Sequence, residues 1–166
     1  MPRLTRITAT GLIALVFMAS AVAAQVAIGF GGTPHDSDEP VEVVSDSLRI
    51  DQETGLAVFT GNVIVVQGDL RMAAAEVRVT YFENADGTEV DRVLASGGVL
   101  MTRGEDAAEG QNAVYTVDSG EVVMTGSVLV TQGATTVAGE RLTIDLNTGD
   151  GVVSGRVRTV LSRDDD

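Results

Sequence analysis

The chain has 166 residues, enough for one domain, with a formal net charge of −13 and a sequence pI near 4.3. So acidic a surface repels nucleic-acid phosphates and anionic membrane faces, which excludes nucleic acid as a partner. Cysteine and lysine are both absent, so disulfides, thiolate metal sites and cysteine nucleophiles are excluded as well.

The chain opens with Arg3 and Arg6, a short apolar run over residues 11–19, and small residues at Ala21-Val22-Ala23-Ala24. This is the layout of a secretory signal peptide cleaved after Ala24, and it predicts export. The rival is an uncleaved anchor. Gln25 and Gly31-Gly32 interrupt the apolar run before it reaches the ~20 residues that a bilayer span needs. The intact mass of the exported protein separates the two. Residues 25–40 carry glycines, Pro34, Pro40 and the acids Asp36, Asp38 and Glu39, the composition of a flexible lead-in. His35, the only histidine, is expected to be solvated there.

A domain is expected over residues 41–163, with an acidic tail at residues 164–166. Hydrophobic residues make up 44% of the chain and aromatics only 4%, which suits a β structure packed by aliphatic side chains. Val41 and Val43 share one face of a first strand, and Leu48 and Ile50 continue the two-residue step before a turn at Glu53-Thr54-Gly55.

One unit then recurs. Phe59-Thr60-Gly61-Asn62-Val63-Ile64-Val65-Val66-Gln67-Gly68 returns without a gap as Met124-Thr125-Gly126-Ser127-Val128-Leu129-Val130-Thr131-Gln132-Gly133. Looser copies run Ala95-Ser96-Gly97-Gly98-Val99-Leu100-Met101-Thr102-Arg103-Gly104 and Val153-Ser154-Gly155-Arg156-Val157-Arg158-Thr159. Glycines at both ends of a Val/Ile run mark a strand between turns. Second strands follow around Val77 and Val79, Tyr115 and Val117, and Leu142 and Ile144. The longer first interval predicts a lengthened hairpin loop over residues 83–88 with an Asp-Gly turn. Beyond the leader no segment shows a helical period, so the domain is all-β.

The copies also show which side chains face inward. Val63 and Val65 align with Val99 and Met101, with Val128 and Val130, and with Val157 and Thr159. The intervening positions drift to polar and charged residues, so the first parity is the interior. Phe59, Met124 and Val153 join it, and the inner face is expected to be aliphatic and uncharged.

Chemistry for catalysis is missing. A nucleophile needs a base, and the only histidine, His35, sits in the lead-in; the carboxylate pairs lie by loops and termini, with none in an apolar site that would raise its pKa. The polar loop near Asp91 lacks an EF-hand pattern, so no metal is expected. No cofactor is expected, and the chain reads as a non-enzyme.

Three stretches carry a family resemblance: Ser45-Asp46-Ser47-Leu48, the unit from Phe59 to Gly68, and Met72-x-Ala74-x-x-Val77. They resemble the core of LptA/OstA-type proteins, the periplasmic components of lipopolysaccharide export. The likeness runs over residues 40–161. Two departures stand out: Ala75 replaces the acidic residue usual before x-Val, although Glu140 is present in the later copy, and there is no long tail after the last strand.

The resemblance implies a slightly twisted, open β-jellyroll with two antiparallel sheets splayed as a V, built from repeated two-strand units. It implies a passive periplasmic carrier whose inner face shields lipid A acyl chains. The expected lipid contacts are Val41, Val43, Leu48, Ile50, Phe59, Val63, Val65, Met72, Val77, Val79, Met101, Tyr115, Val117, Met124, Val128 and Val130. It further implies head-to-tail stacking between an LptC-like inner-membrane protein and an LptD-like outer-membrane protein. The edges expected to pair with these partners, or with another copy, are Val41, Glu42, Val43 and Val44 at one end and Val157, Arg158, Thr159, Val160 and Leu161 at the other. Two alternatives stay open: a membrane-anchored LptC-like relative, and a filament-forming β-solenoid suggested by the equal intervals from Ser96 to Thr125 to Ser154.

Overall fold

The computed structural model describes residues 24–162 apart from 33, 34, 37, 52, 85 and 86. The expected leader before Ala24 and the acidic tail lie outside the described residues. The strands are β1 (Gln25–Gly29), β2 (Glu42–Val44), β3 (Ser47–Ile50), β4 (Ala57–Gln67), β5 (Leu70–Asn84), β6 (Gly87–Arg103), β7 (Asp106–Thr116), β8 (Glu121–Gln132), β9 (Thr135–Asp145), β10 (Asp150–Ser154) and β11 (Arg158–Leu161). They form one open antiparallel sheet in the order β1-β10-β9-β8-β7-β6-β5-β4-β2, with β3 also on β4 and β11 also on β9. Neighbours in sequence pair as hairpins, whereas solenoid rungs stack in parallel, so the solenoid alternative falls.

The long strands all slip register at the same level, between Thr60 and Val63, Ala73 and Glu76, Ser96 and Val99, Glu109 and Asn112, and Thr125 and Val128. Aligned bulges bend every strand where they occur. Here they form a crease that divides the sheet into two leaves. The first leaf holds Val63–Gln67 and its neighbours, edged by β2 and β11. The second holds Ala57–Thr60 and its neighbours, edged by β3 and by β10 with β1.

The Thr-Gly and Ser-Gly pairs of the repeat sit on this crease. The sequence pattern predicts that they open a strand, but Thr60-Gly61, Ser96-Gly97 and Thr125-Gly126 fall inside one, and Ser154-Gly155 falls at the end of β10. Gly61 with Asn62, Gly97 with Gly98, Gly126 with Ser127 and Gly155 with Arg156 all take positive φ. That conformation is natural for glycine and uncommon for other residues. Each leading glycine also lies beneath a side chain of the adjoining segment. A Cβ on Gly97, Gly126 or Gly155 would come within 2.7 Å of the Cβ of Ala75, Gln111 or Glu140, and one on Gly61 would strike the Asp46 carboxylate. Asp46 accepts from Asn62 Nδ2 at 2.8 Å, and its N–H donates to Gly61 O at 2.9 Å. Ala75 thus occupies the crease position filled elsewhere by Asp46, Gln111 and Glu140.

Two further expectations are corrected. Residues 83, 84, 87 and 88 belong to strands and not to a lengthened loop: Glu83 pairs Thr88 and Asn84 pairs Gly87, so the added length extends β5 and β6. Residues 25–29 are not lead-in but β1, laid against β10 with Val26 opposite Val153 and Ile28 opposite Gly151. The period-two pattern of Val26 and Ile28 matches the inner face of β10, which is why this segment joins the sheet.

Candidate functional site

The inner faces of both leaves meet in one hydrophobic cluster. Val63, Val65, Met72, Met101, Val128 and Val130 come from the first leaf, and Val77, Val79, Tyr115 and Met124 from the second; all are buried. Val41, Val43, Phe59 and Val117 are half-buried and packed against this cluster. The inward parity read from the repeat therefore matches the burial. The walls do not stand apart, however. Val63, Met101, Met124 and Val130 have no exposed surface, which leaves no room beside them even for water. Facing Val and Met side chains bury more apolar area by meeting than by bounding a wet trough, at ~25 cal/mol per Å².

Leu48 and Ile50 differ. They lie opposite Phe59 and Ala57, on the inner side, but at the open edge where no further strand covers them. They are accordingly 50% and 62% exposed. The apolar inner strip thus emerges into solvent at the β3 edge. Nearby, between Val41 and Gln67 on one leaf and Val90 and Val117 on the other, lies a depression of about 330 Å³ floored by Asp38, Glu39 and Pro40.

The outer edges carry β2 and β11. Val44 is exposed on β2, and Val160 and Leu161 are exposed on β11. Val157 lies before β11 and is partly buried against the core, so the expected edge begins one residue later, at Arg158.

The inner face is not free of charge. Arg103 is only 1% exposed. Its Nε donates to Asp69 at 3.0 and 3.1 Å, and its Nη1 donates to Leu146 O at 3.1 Å. The repeat held the signal for this. Continuing the inward parity past Val65, Met101 and Val130 reaches Gln67, Arg103 and Gln132, all at the tip of the first leaf.

His35 is likewise buried, not solvated. Its backbone N–H donates to Leu146 O at 3.0 Å, and its Nε2 lies 3.2 Å from both Gln67 Oε1 and Tyr115 Oη. Tyr115 Oη donates to Gln67 Oε1 at 2.7 Å, tying the two leaves. The reason is topological: β1 and β2 lie at opposite ends of the sheet, so the residues between them must cross it.

Burial raises the Tyr115 phenol to about 12, only partly offset by the positive charge of Arg103. A raised phenol pKa means that the neutral form is favoured in the fold. Stability tied to Tyr115 is therefore complete below pH ~10, the unfolded value, and is lost as pH rises toward the folded one. Spectrophotometric titration of the folded protein should show a tyrosine ionising near pH 12. That step should vanish in Tyr115→Phe.

These features can be set against known proteins. The model of a family described as "LptA/(LptD N-terminal domain) LPS transport protein" matches residues 42–150. The chain belongs to this family.

An uncharacterized protein of Rhizobium meliloti is 28% identical over 119 residues, covering 69% of this chain and 64% of that protein. Lipopolysaccharide export system protein LptA of Escherichia coli is 40% identical over 55 residues, covering 33% of this chain and 30% of LptA. The crystal structure of LptH, described as the LptA-homologous periplasmic component of the lipopolysaccharide transport device of Pseudomonas aeruginosa, superposes with a TM-score of 0.65 at 22% identity. It covers 78% of this chain and 100% of LptH, and so the fold is that of an LptA-type protein. The family match begins at β2, leaving β1 and the crossing segment outside it.

Proposed function

We propose that this LptA-type chain is a periplasmic, non-enzymatic carrier of lipopolysaccharide, whose leaves part to take lipid A acyl chains between them. The observation that carries the reading is the apolar inner face that continues across both leaves below the polar tip of the first. It runs from exposed Leu48 and Ile50, through Val65, Met101 and Met124, to Val153 and Val26. Alkyl chains need no directional partner, and each buried methylene contributes ~0.8 kcal/mol. A chain inserted between the leaves exchanges one set of aliphatic contacts for another, so opening costs little apolar energy while lipid is bound. The acidic exterior leaves lipid A phosphates in water, and transport is passive, driven elsewhere.

The same reading places the chain in a bridge between an LptC-like inner-membrane protein and an LptD-like outer-membrane protein. Both leaves have an edge at each end: β2 and β3 at one, β11 and β1 at the other. One copy can therefore extend both leaves of the next by strand addition.

A photo-crosslinking residue at Val65, Met101 or Tyr115, with Ile64 on the outer face as control, tests the lipid site. Lipopolysaccharide adducts are expected at the first three and not at Ile64. Equal labelling at all four would refute a slot between the leaves.

A further inference from the structure

The chain leaves β1 at one end of the sheet and enters β2 at the other, and the described residues between them, Phe30, Gly31, His35 and Glu39 among them, bond across the open side of the V. Every described anchor of this crossing joins it to a leaf tip. Phe30 N–H donates to Gly149 O at 2.7 Å on the second leaf, and Gly31 N–H donates to Asp106 Oδ2 at 2.7 Å on the first. His35 bonds to Leu146 O of the second leaf and lies beside Gln67 of the first. The Phe30 ring is 1% exposed and belongs to the core cluster between the leaves.

The first leaf is built to hold this crossing. Its inward tip positions Gln67, Arg103 and Gln132, each just before the glycine that closes a copy of the repeat, lie against the crossing or the end of β1 that leads into it. Gln67 Nε2 donates to Glu39 O at 2.8 Å, and Gln132 Nε2 donates to Gly29 O. The Arg103 side chain lies so close under Gly31 that a Cβ there would overlap it. Gly31 and Gly32 both take positive φ, so this part of the crossing turns on two glycines. A segment that merely connected two strands would not need a buried aromatic ring and a bond to both walls.

We infer that the segment carrying Phe30, Gly31 and His35 is a self-occluding strap. It closes the third side of the V, fills the slot's open side with its own Phe30 ring, and must lift away before an acyl chain can enter. This rests on the lipid-carrier reading above. Lipid and strap then compete for the same apolar surface, and the empty carrier is kept from exposing that surface to water or to other copies. A large exposed apolar face would otherwise invite association.

The test uses the absence of native cysteine. Gly32→Cys with Asp106→Cys puts one thiol on the strap and one on the first leaf, to be joined by a short bismaleimide. Uptake of fluorescently labelled lipopolysaccharide is measured before and after linking, with thermal unfolding to confirm that both forms are folded. Linking is expected to reduce uptake at least tenfold, and Phe30→Ala with His35→Ala to speed loading at least threefold. If the linked protein loads as well as the unlinked one, the strap is not a barrier, although the lipid reading stands. If neither wild type nor the unlinked variant takes up lipopolysaccharide, the lipid reading itself fails.

Discussion

Asp69→Ala is expected to destabilise the protein by about 3 kcal/mol, the scale for removing one partner of a buried ion pair. For a domain of this size that lowers the melting temperature by roughly 10 °C. The cost lies on the other side of the pair. Asp69 is about half exposed, whereas the Arg103 side chain has no solvent contact, so losing the carboxylate takes one counter-charge away from a buried guanidinium. Arg103→Met supplies the comparison. It keeps an apolar stem of similar reach, removes the charge that must be compensated, and lets Asp69 return to water. The Leu146 carbonyl loses a donor, and the expected cost is only ~1–2 kcal/mol. Urea unfolding of both variants checks the order. If Arg103→Met proves the more damaging, packing and not charge burial is what Arg103 contributes.

How far the sequence could be read follows from which signals are local. Alternation between Val63 and Val65 and their outward neighbours is a property of adjacent residues, and the repeat averaged out its noise. The all-β class and the inward parity were therefore visible without coordinates. Thr60-Gly61 was misread because a bulge and a turn use the same chemistry, a glycine at positive φ; only the partner register between Thr60 and Val63 shows that the strand continues. The strap was illegible for a different reason. A run of Gly, Pro and acidic residues has the composition of a linker, and its order comes from contacts across the molecule, such as His35 with Tyr115 and Gly31 with Asp106. Tip polarity lay between these cases. Gln67, Arg103 and Gln132 obey the parity rule, but their polar character suggested that the rule had ended, when in fact the inner face had reached groups that need hydrogen bonds. The closed state of the walls could not be read at all, because alternation fixes which face is apolar and says nothing of what covers it.

Val43→Pro and Val44→Pro are expected to weaken head-to-tail association at least tenfold, while leaving a folded monomer. β2 is three residues long, pairs with Ile64–Val66 of β4, and ends the path of the first leaf. Its far side therefore presents backbone groups that a partner strand can use. Successive N–H groups along a strand point to opposite sides, so one of these two positions carries an outward donor and the other an inward one. Proline at the outward position deletes a bond to the partner and sets a ring against it; at the inward position it weakens the hold of β2 on β4. Either way the template is spoiled, and losing one or two hydrogen bonds worth ~1 kcal/mol each accounts for a tenfold change. The rest of the sheet should be spared, since β3 pairs with β4 independently over Ala57–Thr60. Sedimentation velocity gives the assembly state, and far-UV circular dichroism verifies the fold. The matching change at the other end, Val160→Pro on β11, should produce chains that no longer extend although their β2 edge is intact. Mixing it with Val43→Pro should yield dimers and nothing longer, because only one competent end of each kind remains. Unchanged assembly in both single variants would show that the copies do not join through these edges.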